Sequence, residues 1–109
     1  GMNQAIQHPL AQSWAELEAA NLVAFRAAQL YDRGEDCGAM ANAAKYLAGE
    51  AGYNACNNAV LTHGGMGYAK EFHVERYFRE SMLPRIAPVS RELVLCFIAE
   101  KVLGLPKSY

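Results

Sequence analysis

The residues best suited to chemistry in this sequence lie at positions 61–80, in LTHGGMGYAKEFHVERYFRE. Gly64, Gly65 and Gly67 carry no Cβ, so the backbone there can turn sharply and present successive amides to an anion. Arg76 and Arg79 follow three residues apart, hence on one helix face, where two guanidinium groups can grip a phosphate or tie the helix to a carboxylate. A glycine pair after a long helix also serves as a plain cap, so the run reads either as an anion cradle or as a helix terminator. His63 and His73 have no Asp, Glu or Cys at a spacing that completes a metal site with them, and no metal is expected.

The elements that must position these residues are helical. Leu10, Trp14, Leu17, Asn21, Ala24, Ala28 and Tyr31 repeat in steps of four and three, which lays one stripe along a helix expected over residues 9–33. Pro9 suits its first position and Gly34 its left-handed cap. Asp36 can cap a second helix running to residue 62, crowded with Ala and Gly and able to approach its neighbours closely. A short third helix is expected over residues 71–81, with Val74, Tyr77 and Phe78 on its apolar side and Pro84 closing it. Pro88 can open a fourth, with Val89, Leu93, Cys96 and Leu103 on one face and Gly104 and Pro106 at its end. The expectation is therefore all-α: an up-down antiparallel helical bundle of three long helices and one short one, a single domain over residues 1–109. Gly1 before Met2 reads as a remnant of tag cleavage and is set aside. Trp14, Phe25 and Tyr31 are expected in the core, with Cys96 packed as a small hydrophobe. Glu16, Glu18, Arg26, Lys45 and Glu50 are expected on a solvated face.

Composition sets the outer limits. With 109 residues and 52% hydrophobic letters the chain can build one core, not two. Ten Lys+Arg against eleven Asp+Glu, for a net charge of -1, leave no electrostatic footprint for nucleic acid or an anionic membrane. Cys37, Cys56 and Cys96 are odd in number and form no CxxC pair, which points to free thiols in a reducing, cytoplasmic setting. The longest apolar run, residues 93–99, is far shorter than the roughly 20 residues of a membrane span.

HGGMGY at 63–68, with Glu71, Arg76 and Arg79 after it, resembles the C-terminal domain of acyl-CoA dehydrogenases. The resemblance extends from AELEAA at 15–20 and the YDRG corner at 31–34 through Ala44-Lys45 to the last helix. It implies a helical bundle that helps to bind FAD, packs against the same domain of another subunit, and belongs to a protein oxidising an acyl-CoA at its α,β carbons. It also implies that Gly64 and Gly65 approach an FAD pyrophosphate across a subunit interface, and that Ser90 and Glu92 stand where the family contacts the adenine side of FAD.

The resemblance has gaps of its own. Leu61 stands where the family has a flavin-contacting glutamine, Glu80 where it has aspartate, and Pro88-Val89-Ser90 where many members have a catalytic glutamate followed by Gly-Thr. Proline cannot remove a proton, so no catalytic residue is assigned. The family's helical domain, its small β-domain and the first long helix of its bundle have no counterpart in these residues, and some members carry their base on that helix. The reading is thus the FAD-contacting, oligomerising part of such a flavoprotein, inactive alone and binding FAD weakly or not at all. Its partners would be further copies of itself and a separately encoded N-terminal part, with acyl-CoA only in a complete enzyme. The alternative is a non-catalytic self-association module derived from that domain.

Overall fold

The computed structural model describes residues 1–108. Two long helices dominate it: α1, Gln4–Asp32, and α2, Gly38–His63. A 3-10 helix, Gly64–Tyr68, follows α2 directly. Then come α3, Val74–Glu80, a single turn α4, Leu83–Ile86, and α5, Arg91–Phe97, which runs on without a break into a π-helical stretch, Ile98–Val102. No strand is present among the described residues.

The turn between the long helices follows directly from Gly34. Its φ of 70° lets the Gly34 amide bond the Tyr31 carbonyl and the Glu35 amide the Leu30 carbonyl, both at 2.9 Å. That pair of bonds is the Schellman pattern, and it satisfies carbonyls the helix would otherwise leave open. Two residues on, the Asp36 carboxylate accepts the Gly38 amide at 2.9 Å, so the expected capping group does begin α2. The chain returns antiparallel: the Asn58 amide, near the end of α2, donates to Ser13 Oγ at 3.0 Å, near the start of α1. α5 runs back along α2 in turn. Arg91, at its start, reaches Glu50, and the ring of Phe97, at its end, lies 3.3 Å from where a Cβ would stand on Gly38. The all-α up-down bundle is therefore as expected.

Several local expectations need correction. α1 begins at Gln4, not at Pro9, because Asn3 Oδ1 accepts the Ala5 amide at 2.9 Å and starts the helix early. Pro9 lies inside the second turn, where it forgoes one backbone bond. Pro84 sits in the first turn of α4 and does not follow a helix end. Pro88 lies outside any helix, after a cis Ala87–Pro88 bond; α5 starts three residues later at Arg91, capped by Ser90, whose Oγ accepts the Leu93 amide at 3.3 Å.

The largest correction concerns which face of α1 is covered. The residues turned towards α2 are Ile6, Pro9, Ser13, Glu16, Ala20, Val23, Ala27 and Leu30, a stripe one residue back from the expected one. One residue is about 100° around a helix, so Trp14, Phe25 and Tyr31 are solvent-facing, at 67%, 69% and 75% exposure. The cause lies in α2, whose buried Ala44 and Ala51 share one face, while the buried Gly49 lies against Pro84 and Arg85. Small residues on both partners let the backbones close up, and Ser13, Ala20 and Ala27 fit such an approach where Trp14 would prop it open. α5 shows the same offset: Val94 is the fully buried residue, at 1% exposure, while Leu93 and Leu103 face out.

Candidate functional site

The glycine run closes α2. Gly64, at φ 59° and ψ -138°, occupies backbone space that side-chain-bearing residues avoid, and its amide bonds the Leu61 carbonyl. Gly67 is a packing requirement, since a Cβ there would collide with the Val60 carbonyl. Gly65 is different in kind: a Cβ would meet nothing within 4 Å, so nothing inside the chain demands glycine. The stretch is wound into a 3-10 helix, whose bonds occupy part of the amides expected to be presented. What remains exposed at Gly64 and Gly65 is bare backbone on the surface.

The two arginines that follow are held by their own helix. Arg79 Nε donates to Glu75 at 2.8 Å and Arg76 to Glu80 at 3.2 Å, both one turn apart. The Arg79 hydrogen bond holds the Glu75 carboxyl below its ordinary value of 4.5. Of the two uses open to these guanidinium groups, tying to a carboxylate is the one realised. Beneath the glycine run, Val60, Gly67, Tyr68 and Phe78 line a cleft of about 470 Å³ whose rim carries Lys70, Glu75 and Arg79. It takes in neither Gly64 nor Gly65.

Ser90 and Glu92 occupy the start of α5. Ser90 Oγ is engaged as an acceptor in the cap, which leaves its hydroxyl proton free to donate. The Glu92 side chain is 72% exposed, 3.5 Å from Arg91 Nε. This start is fixed by a group placed among the solvated residues on sequence grounds. Glu50, midway along α2, accepts from Arg85 at 3.0 Å and from Arg91 at 3.3 Å, so one carboxylate grips both sides of the turn that carries Pro88. Lys45 adds a bond to the Pro84 carbonyl at 2.9 Å, and Arg85 lies over the Tyr53 ring at 4.3 Å. A signal did exist in the sequence: Arg85 and Arg91 bracket the proline turn, and a bracketing pair of like charges calls for a shared counter-ion.

The candidate residues thus form two sets. Gly64 comes fourteen positions after Glu50, which lies beside the Ser90 set, about 21 Å along the helix axis. They do not converge on one pocket within the chain. Leu61, on the surface at the end of α2, is 69% exposed. Among the described residues no three His, Cys, Asp or Glu side chains are grouped to hold a metal ion, His63 Nδ1 lies 2.8 Å from the Ala59 carbonyl, and no helix is long and apolar enough to cross a membrane. The three cysteines are unpaired.

Residues 1–103 match the family described as acyl-CoA dehydrogenase, C-terminal domain. Among similar proteins, acyl-CoA dehydrogenase FadE12 of Mycobacterium tuberculosis is 50% identical over the whole of this chain, which covers 29% of that protein. A 3-(aryl)acrylate reductase of Clostridium sporogenes is 37% identical over 92% of this chain and 26% of its own length. Cyclohexane-1-carbonyl-CoA dehydrogenase of Geobacter metallireducens is 34% identical over 93% of this chain and 27% of its own. The chain therefore spans between a quarter and a third of the length of these relatives.

Proposed function

The chain belongs to the acyl-CoA dehydrogenase family, as its C-terminal domain, and we propose that it serves as the FAD-contacting and oligomerising part of a cytoplasmic flavoprotein that dehydrogenates an acyl-CoA. The observation that carries this reading is the uncovered apolar flank of α1, on which Leu10, Trp14 and Phe25 face solvent. The accessible surface is 7632 Å², where a compact monomer of 11.9 kDa has about 5,900 Å². A chain with so much surface and so few large buried side chains is suited to working against other protein, from further copies or a separate N-terminal part.

The fit to FAD is partial. Bare backbone at Gly64 and Gly65 suits close approach by a pyrophosphate, and the Ser90 hydroxyl and Glu92 carboxylate can serve an adenine's donors and acceptors. Glu50, which holds the turn before Ser90, stands about 21 Å along α2 from Gly64, and this supports cofactors shared between copies: the glycine run of one chain and Ser90 and Glu92 of another would enclose one FAD. Leu61 offers no hydrogen bond to it. Bound FAD would supply the hydride acceptor. Proton removal next to the thioester needs a carboxylate within hydrogen-bond reach; Pro88 has none, and Glu80 is paired with Arg76 on another helix. The isolated chain is accordingly a partial site without a base.

Calorimetric titration of FAD into the purified chain, with its mass followed by light scattering, tests this. Self-association with FAD binding weaker than micromolar is expected. A strictly monomeric chain at high concentration, or submicromolar affinity, would overturn the proposal.

A further inference from the structure

The backbone that carries Ser90 does not hold itself in place. Among the described residues the Val89 and Ser90 amides have no hydrogen-bond partner, and Pro88 has no amide to give. The Ser90 carbonyl and Oγ accept only from the Val94 and Leu93 amides of its own helix. The polar ties that fix this stretch against α2 therefore come from side chains. Glu50 Oε1 lies 3.0 Å from Arg85 Nε and 3.3 Å from Arg91 Nη1, and Oε2 lies 3.5 Å from Arg85 Nη2 and 3.4 Å from Arg91 Nη1. One carboxylate thus draws on both arginines with both of its oxygens.

Arg91 carries the tie onward. Its Nε, buried and without a hydrogen-bond partner, faces Glu92 Oε1 at 3.5 Å. The guanidinium stands between the Glu50 carboxylate on α2 and the Glu92 carboxylate at the surface, and the Tyr46 ring lies 6.0 Å from it. An ion pair at that distance attracts Glu92 without locking it, so its exposed oxygens stay available to a ligand's donors. We propose that Glu50 and Arg91 are positioning residues for the adenine side of the cofactor: Glu50 fixes Arg91, and Arg91 sets where Ser90 and Glu92 stand. The inference rests on the reading of Ser90 and Glu92 given above and adds what aims them. A tie that served stability alone would be complete with Arg85. The second arm ends instead on the residue between Ser90 and Glu92, and a contact group held beforehand loses less freedom when its ligand arrives.

The test uses the chain joined behind the preceding part of the FadE12 relative and compares FAD with FMN, which lacks the adenine half. Each flavin is titrated into the flavin-free protein and followed by its fluorescence. Glu50→Gln should weaken FAD about tenfold, the scale of one charge-assisted hydrogen bond, and leave FMN unchanged. Arg91→Met keeps the Glu50–Arg85 bond and should do the same, so it decides the matter where Glu50→Gln does not fold. Leu30→Ala, a buried truncation on α1, lowers stability at least as much and should leave both affinities unchanged. FAD and FMN weakened alike, or FAD bound as before by Glu50→Gln and Arg91→Met, would overturn the positioning role and leave the reading of Ser90 and Glu92 standing. A fusion that takes up FAD no more tightly than FMN, or one carrying Ser90→Ala with Glu92→Gln that keeps full affinity for FAD, would overturn that reading and the positioning role with it.

Discussion

Replacing Glu50 by glutamine removes one negative charge from between two guanidinium groups and changes almost nothing else in shape. Glu50, Arg85 and Arg91 have side chains 25%, 21% and 32% exposed, so the cluster is neither fully dry nor free in water. A fully buried pair broken at one partner loses about 3–5 kcal/mol, whereas an exposed pair loses about 0–1 kcal/mol. Partial exposure places Glu50→Gln between them, at about 2 kcal/mol. For a domain of this size a loss of that order lowers Tm by about 8–10 °C. Thermal unfolding followed by far-ultraviolet circular dichroism measures it, with Glu75→Gln as the comparison: Glu75 pairs with Arg79 on its own helix, where the guanidinium is 65% exposed, and its loss should barely move the melt. The reasoning is refuted if Glu50→Gln melts with the unaltered chain, or no lower than Glu75→Gln, because the proline turn would then be held by something other than this carboxylate.

Gly67→Ala should cost about 1–3 kcal/mol, because the new Cβ meets the Val60 backbone carbonyl; Gly65→Ala should leave stability unchanged, and denaturant melts compare the two. The Glu75 carboxyl, held down by Arg79, should lend α3 an ion-pair contribution that is present above about pH 4.5 and lost as pH falls through the lowered folded value. Carboxyl titration by NMR should show its pKa rising on Arg79→Met, and no change there would contradict the assignment. Incubated with FAD, a dye acceptor and acyl-CoAs of several lengths, the isolated chain should reduce no dye. Turnover that survives changes at Pro88 and disappears on changing Glu92 would place the base at Glu92.

The sequence carried the helix ends well where one residue decides them. Gly34 and Gly64 must take positive φ, and Asp36 has a carboxylate in reach of an orphan amide. It carried the rotation of the helices poorly. The most apolar stripe of α1 is readable from spacing, but which stripe meets α2 depends on how closely the two backbones approach, and that is set by alanines on the other helix. Ser13 and Glu16 on the covered face look polar in isolation; Ser13 is buried because it accepts from Asn58, forty-five residues away. Glu50 was misplaced for the same reason, since both of its partners lie at least thirty-five residues downstream. Ser90 and Glu92 were nameable only through resemblance; the glycine run itself was legible, but no local pattern marks Gly65, a surface glycine with open space beside it, as different from the packed Gly67.

The central claim, that this domain completes a flavoprotein site it cannot form alone, is tested most directly by flavin content. The chain is purified by itself and again joined behind the preceding part of the FadE12 relative, and bound FAD is measured by visible absorbance in both. The account predicts a colourless isolated chain and a yellow, folded fusion. A yellow isolated chain that oxidises acyl-CoA, or a folded and assembled fusion that stays colourless, would contradict it.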